Sequence, residues 1–465
     1  MSLWKKILFN LPEVAGPVKK RLTFKEKLKW TLIILILFFV LGLIPLFGLG
    51  NNALQRFELL SVIIGAKFGS IISLGIGPIV TASIVLQLLN GSGLVKFDLT
   101  TKEGKKNFQG VQKVLSILFI LFEGGVYVFM GGLAPPAQFA GTPLYFQLQL
   151  LLVLQLFLGG LLIMFMDEVV SKWGFGSGIS LFIAAGVSQS LFIRILSPLP
   201  SPTNPTGFAS GAIPALFQSL GAGNPTTAIL MIAGIVSTIV VFVMAVYSQA
   251  MKVEIPLSFG RVRGQGIRWP LSFIYTSNIP VILVSALIAN IQLWARLLQN
   301  WGFPIFGTFV GNSPASGLVR WIHAPNIVGK IIKGSVTLAD FGHASIYIIF
   351  LIGGSVLFSW FWVQTSGMDA KSQAKQIMAS GLQIPGFRND KRVLERLLDR
   401  YIKPLTVMGA IAVGLLAGLA DISGALTHGT GLLLTVMIIY RLYEEIAKEH
   451  MMDMNPMMRK FMGGG

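Results

Sequence analysis

Apolar residues in this chain come in long runs that recur from end to end, separated by shorter polar stretches. The runs fall at about 30–50, 75–90, 111–130, 148–166, 178–196, 225–248, 273–295, 346–366, 404–420 and 430–443. Each reads as a helix, because a bilayer offers no water to backbone groups that fail to bond one another. A full crossing takes roughly 20 apolar residues over about 30 Å. The pattern predicts an all-α polytopic membrane protein of ten spans. The second span is irregular. Its apolar part, Ile76 to Leu89, is only about 21 Å long as a helix. Gly65, Gly69, Gly75, Gly77 and Pro78 precede or open it, and all weaken or kink a helix. Irregular backbone survives at membrane depth only where protein buries it or water reaches it. The broken span therefore predicts an internal cavity or pore, which a simple anchor would not need.

Composition agrees with a membrane protein. Of 465 residues, 53% are hydrophobic and 12% charged, against about 25% charged in a soluble domain. The net charge of +18 raises nucleic acid or anionic lipid as partners, and its placement narrows the choice. Segments 1–29, 93–113, 167–176, 249–270, 367–403 and 441–465 carry 30 of the 37 Lys and Arg. These segments alternate with the poorly charged ones, so the positive-inside rule puts both termini in the cytosol. Met1–Lys29 holds eight Lys/Arg, and no small-residue cleavage site follows the first run. It reads as a retained cytosolic segment leading into the first span. Within it, MSLWKKILFNLP suits a short interfacial helix.

Two cytosolic loops stay unusually basic: 249–272, with RVRGQGIRW, and 367–403, with GFRNDKRVLERLLDRY. The second has an amphipathic helical reading, with Val393, Leu394, Leu397 and Leu398 on one side. Contact with anionic lipid and docking of a large polyanion are both open for these loops. The outer stretch 300–345 reads as a long loop with a short helix near 327–333, and 197–224 as a Pro-, Ser- and Gly-rich loop. The expected division is 1–29, a cytosolic interfacial segment; 30–224, spans one to five; 225–445, spans six to ten; and 446–465, a cytosolic tail. If the two five-span halves are related, their odd number forces inverted topology about an axis in the membrane plane.

Motifs for chemistry are scarce. There is no cysteine and only four His, none of them spaced i, i+4, and no GxSxG, HExxH or Walker-type loop occurs. No enzyme activity, cofactor or metal is expected. Asp167 and Glu168 sit at a span end beside Lys172 and read as a boundary. Charges inside spans weigh more, because each is costly in lipid. Glu123, in ILFEGGVYVF, is the clearest, with packing and function both open for it. Asn278, Asn290 and Thr81 are candidate partners, through bonds worth about 0.6–2 kcal/mol each. Ile76, Ile79 and Val80 near the break are apolar and β-branched, and apolar constrictions close pores by dewetting.

Several long motifs then line up with one family. ISLGIGPIVTASIVLQLL, KWGFGSGISLFIAAGVSQ, RVRGQG followed by YTSNIPVIL and ANIQLW, and GTGLLLTV with YRLYE resemble SecY, the large subunit of the Sec protein-conducting channel. The likeness is closest to the archaeal and eukaryotic branch and covers nearly the whole chain. It implies two pseudo-symmetric inverted halves forming a clamshell around an hourglass pore. The implied waist is a ring of Ile76, Val80, Ile179, Ile183, Ile282 and Leu434. Both pairs within it are spaced i, i+4, which puts each pair on one helix face.

The resemblance implies further roles. Gln55–Ala66 matches a plug helix carrying Phe57, Leu59, Leu60, Val62, Ile63 and Ile64. Thr81, Glu123 and Asn290 match a polar cluster at a lateral gate between the second and third and the seventh and eighth spans. Arg261, Arg263 and Arg388 match arginines that contact the ribosome, or another cytosolic motor, and guanidinium forks grip phosphate bidentately. The implied partners are SecE/γ and β subunits, the ribosome and its RNA, signal peptides, nascent polypeptide and the lipid bilayer. The implied function is passive translocation of unfolded secretory polypeptides and lateral insertion of membrane proteins in the plasma membrane. A secondary transporter with inverted repeats and a broken-helix site is the alternative. The loops 197–224 and 300–345 and the tail after Glu445 match the family poorly, and no role is assigned to them.

Overall fold

The structure is a computed structural model. It describes residues 11–18, 22–52, 67–91, 94–95, 97, 101–200, 208–259, 266–276, 279–310, 313–379, 382–383, 390–427 and 429–454. Its helices are α1 (Phe24–Leu41), α2 (Gly77–Gly91), α3 (Lys102–Phe129), α4 (Pro143–Trp173), α5 (Gly178–Leu196), α6 (Ala212–Gly221) and α7 (Pro225–Ala250). There follow α8 (Ile279–Asn300), α9 (Gly317–Trp321), α10 (Ile327–Ile332), α11 (Leu338–Thr365), α12 (Ala370–Ala379), α13 (Lys391–Ile422) and α14 (Gly429–Met454). Among the described residues seven helices are long and apolar enough to cross a membrane; they are α3, α4, α5, α7, α8, α11 and α13. The other three expected spans are helical but fall short of that standard. Charges crowd the start of α1, α2 has only 15 residues, and α14 turns charged from Arg441 onward.

Local chemistry sets where the helices begin. Thr23 and Glu26 form a capping box at α1, and Thr337 and Asp340 do so at α11. Thr101 and Asn224 accept backbone N–H groups at the starts of α3 and α7. The first span departs from the expected 30–50. The capping box starts α1 at Phe24, and the helix ends at Leu41 ahead of Gly42 and Pro45. A proline there removes the N–H that another turn would need.

The broken segment in front of α2 is buried by protein. Ile72 through Val80 are all buried. Its backbone groups find partners outside any helix: Leu46 N–H donates to Gly69 O at 2.9 Å and Ile71 N–H to Ile44 O at 3.0 Å. Gly69 N–H donates to Ser73 Oγ at 2.9 Å. Gly75 has φ of 56°, the left-handed region that glycine enters without strain. Helix α4 comes close enough that a Cβ on Gly159 would lie 1.9 Å from Ile71 O. The glycine is what lets α4 lie directly on the irregular backbone and shield it.

Most of the buried apolar side chains form one large core. Helices α1–α5 meet α7–α14 along two seams: α2 packs on α8 and α11, while α5 and α1 pack on α14.

The basic segments 249–272 and 367–403 are more ordered than loops. Strands β1 (Lys252–Phe259), β2 (Gly266–Ser272) and β3 (Leu382–Gln383) form a small antiparallel sheet in the order β2-β1-β3. Ile255, Leu271, Ala374, Ile377, Leu394 and Leu398 bury a second core between it, α12 and the start of α13. Thus Leu394 and Leu398 of the expected amphipathic stripe face protein, with Leu397 packed beside them. Helix α13 also runs unbroken through Pro404, joining the expected cytosolic helix and the ninth span into one. In the outer stretches, 197–224 contains the helix α6, and 300–345 contains α9 as well as the expected helix near 327–333.

Candidate functional site

Helix α2 brings the candidate residues together. Gly77 and Pro78 open it, and proline is preorganised for a first helical turn. Val80 N–H donates to Ile76 O at 3.0 Å, so the turn containing Ile76 is continuous with the helix. Ile76 and Val80 therefore share a face, as do Ile179 and Ile183 on α5. All six expected ring residues belong to the same apolar core, with Ile76, Val80, Ile183, Ile282 and Leu434 buried and Ile179 partly buried.

A cavity lies on each side of these residues. The larger has a volume of about 740 Å³ and takes in Val80, Ile179 and Ile282, with Gln112, Arg441 and Glu445 among its polar walls. The smaller, about 260 Å³, is lined by Ser285, Gln292, His323, Asn326, Asp421 and Thr430 among others. Along α8 the lining changes from one cavity to the other between Leu283 and Ser285. On α14, Thr430 faces one cavity and Ile438 the other, with Leu434 one turn from each. The geometry is two polar-edged cavities separated by a short apolar waist. Such a waist excludes water without coordinating any ion.

Beside the waist, α2 is tied to α3 and α8. Asn290 Nδ2 donates to Thr81 Oγ1 at 2.9 Å. Thr81 Oγ1 donates to Gly77 O at 2.9 Å, and the carboxyl of Glu123 also reaches the Thr81 side chain. Glu123 is 3% exposed and Asn290 8%. Three residues far apart in sequence thus share one polar contact, with Glu123 and Asn290 buried and Thr81 partly so, where α2, α3 and α8 meet. Phe122 and Trp294 stack beside it, with ring centroids 5.6 Å apart and planes at 29°.

A second buried polar group was not anticipated from sequence. Asp421 accepts from Tyr347 Oη at 2.6 Å and from Thr430 N–H at 2.7 Å, and it contacts Thr430 Oγ1. It links α11, α13 and α14 at the smaller cavity. Its signal was a lone carboxylate close to the end of an apolar run, which reads as a boundary until the neighbouring helices are placed. Arg194 Nη1 donates to Leu426 O at 3.1 Å across the α5 seam. His323, in the loop before α10, has its pKa held below the ordinary histidine range by burial and then by His343.

The Asp167–Glu168 pair is structural. Asp167 Oδ1 accepts from Ile179 N–H at 3.0 Å, fixing the start of α5. Glu168 pairs with Lys113 and accepts from Val14 N–H at 2.9 Å. Among the described residues no group of His, Cys, Asp and Glu is arranged to hold a metal ion.

The SecY family model matches residues 70–443. A protein translocase subunit SecY from Methanothermobacter thermautotrophicus is 46% identical over 457 residues, covering 97% of each chain. The chain belongs to the SecY family. Solved SecY-type structures superpose along nearly its full length. One described as a protein-conducting channel has a TM-score of 0.84 at 43% identity, covering 98% of this chain and 99% of that one. A second, in which the plug domain of SecY is described as stabilising the closed translocation channel and maintaining a membrane seal, has a TM-score of 0.82 at the same identity and coverage. Sec61 in a canine ribosome–channel complex has a TM-score of 0.80 at 43% identity, again over 98% and 99% of the chains. The SecY-family plug expected at 55–66, with Phe57, Leu59, Leu60, Val62, Ile63 and Ile64, lies outside the described residues, as do Asn278, Arg261, Arg263 and Arg388. The short N-terminal interfacial helix falls outside them too, apart from its last residues.

Proposed function

We propose that this chain is the pore-forming subunit of a Sec-type translocation channel in the plasma membrane, with both termini in the cytosol and ten spans in two inverted halves, 30–224 and 225–445. The observation that carries the reading is the apolar waist between two cavities, with a polar contact beside it on the same short helix. The larger cavity, edged by Lys105 and Arg441 from the basic segments, is the cytosolic vestibule. The smaller is the outer funnel.

An unfolded chain enters the vestibule, and its hydrophobic signal segment displaces the Glu123–Thr81–Asn290 contact. Parting α2 and α3 from α8 and α11 opens a path to lipid for apolar segments. Polar segments pass the ring of Ile76, Val80, Ile179, Ile183, Ile282 and Leu434, whose branched side chains close around the moving chain and limit leakage. Residues 55–66 plug the funnel at rest. The work of transport comes from a cytosolic motor; Arg261, Arg263 and Arg388 dock a ribosome by gripping RNA phosphates. Small SecE/γ and β subunits complete the complex. The relatives are described as translocase subunits and channels, and nothing in them favours the secondary transporter.

The test is photocrosslinking from position 80 or 183 to a stalled translocating polypeptide. The channel reading expects adducts with the nascent chain from both positions. Adducts with lipid alone would show that these residues do not line a polypeptide path.

A further inference from the structure

The lipid side of the α3–α8 seam is closed by an aromatic pair that nothing so far explains. Phe122 lies in the outward stripe of α3 with Leu118 and Leu121, and all three are at least half exposed. In a membrane that stripe faces acyl chains. Phe122 does not turn fully to lipid, because its ring stacks on Trp294 of the opposite half at 5.6 Å and 29°. Both partners sit next to the buried polar contact. Phe122 is the neighbour of Glu123, and Trp294 lies one turn beyond Asn290 on the same face of α8. The seam therefore carries two ties of opposite chemistry: a part-buried hydrogen bond at 2.9 Å between Asn290 and Thr81, and a stack of two rings, with the Phe122 ring half exposed on the outward stripe.

These ties respond differently to an entering segment. Any helix that wedges the seam breaks the hydrogen bond, whatever its side chains. The ring stack is exchanged for contact between the two rings and the incoming side chains. Leu, Ile or Phe replaces the lost contact; Ser, Gln or Gly does not. Stacked aromatic pairs contribute beyond the area they bury, so the stack penalises weakly apolar segments selectively.

We propose that Phe122 and Trp294 form a specificity-determining clasp that sets how hydrophobic a segment must be to enter the lateral gate. The proposal rests on the channel reading. Trp294→Leu keeps an apolar side chain and removes the ring, whereas Trp294→Phe keeps a stack.

The experiment uses membranes carrying the full-length channel complex and ribosome-bound substrates whose test segment has a graded Leu/Ala content. The readout is the ratio of laterally inserted to fully translocated product. Trp294→Leu and Phe122→Ala should raise that ratio about two- to tenfold for segments near the midpoint. Trp294→Phe should behave as the unaltered channel. The double substitution should do no more than the larger single one, since either change removes the whole stack. The clasp is overturned if Trp294→Leu leaves the midpoint in place, if Trp294→Phe moves it as far as Trp294→Leu, or if the two single effects add. A complex that inserts no segment of any composition overturns the channel reading and the clasp with it. A midpoint unmoved by substitution in an active complex overturns the clasp alone.

Discussion

Asn290 on α8 donates a hydrogen bond of 2.9 Å to Thr81 on α2, although the two residues are 209 positions apart. That one bond joins the two halves of the molecule beside its apolar waist. Hydrogen bonds between membrane helices are worth only about 0.6–2 kcal/mol, which suits the repeated opening that the proposed gate requires.

Replacing the pair by Thr81→Val and Asn290→Leu should weaken the closed seam by about that 0.6–2 kcal/mol. The chain has no native cysteine, so one introduced on α2 and another on α8 report the seam without background. Bismaleimide crosslinking across it should become slower or less complete in the doubly substituted channel, and signal segments of marginal hydrophobicity should be accepted more often.

Glu123 separates the channel from a solute transporter. Glu123→Gln keeps an oxygen and gains donors at the same place, so secretory-protein translocation into vesicles should stay within about threefold of the original, at most one weak interhelical bond of about 0.6 kcal/mol being at stake. Glu123→Leu removes every polar partner of Thr81 on α3 and should shift gating as the Thr81→Val change does. Loss of an ion-coupled solute uptake in the Gln variant would point to a transporter instead.

Serine at positions 76 and 183 should wet the waist. Both isoleucines are buried one turn from Val80 and Ile179, which line the larger cavity, and an apolar constriction is impermeable because water leaves it. Planar-bilayer recordings of the Ile76→Ser, Ile183→Ser channel should show ion conductance in the absence of substrate, and the corresponding valine changes should not.

Gly159→Val tests how the broken span is buried. Even the first carbon of the new side chain meets Ile71 O at 1.9 Å, a backbone atom that cannot rotate away. Overpacking of this kind costs about 1–3 kcal/mol. The midpoint of thermal unfolding, followed by fluorescence-detected gel filtration in detergent, should fall by several degrees. Gly131→Ala, where no atom lies near the added carbon but φ is 76°, should cost less.

His323 gives the fold a pH dependence of known sign. Its folded-state pKa is depressed, so the neutral ring is favoured in the folded protein and the charged ring in the unfolded chain. The associated stability is fully present above the ordinary histidine value of about 6.5. It is lost as pH falls from there through the lower folded value. His323→Gln should flatten the difference in unfolding midpoint between pH 7.5 and pH 5.5, and unchanged slopes would remove His323 as the cause.

Much of the molecule was legible one residue at a time. The apolar runs located the long helices, while the caps at Thr23, Thr101, Asn224 and Thr337 that fix where several of them start emerged only from the structure. The weakness of the second span was visible in Gly65–Pro78, because helix breaking is a property of the residues themselves. Where one chemistry had two structural outcomes, sequence misled. Segment 249–272 read as a basic loop but contains a sheet, and the amphipathic helix legible in 367–403 left open what its apolar side meets, since Leu394 and Leu398 look the same whether they meet lipid or Ile255 and Leu271. Asp421 was passed over, because the hydroxyls of Tyr347 and Thr430 that satisfy it come from other helices.

The sequence by itself determined which stretches leave water, where the basic charge accumulates and that one span cannot cross unaided. These follow from transfer energies and backbone propensities that are local to a few residues. Only the tertiary structure decided what surrounds the broken span. It placed Gly159 against Ile71, drew Thr81, Glu123 and Asn290 into one contact, and left a cavity on each side of Ile76, Val80 and Leu434. Those relations depend on the distance between helices, which is set by how whole faces pack and is written in no single segment.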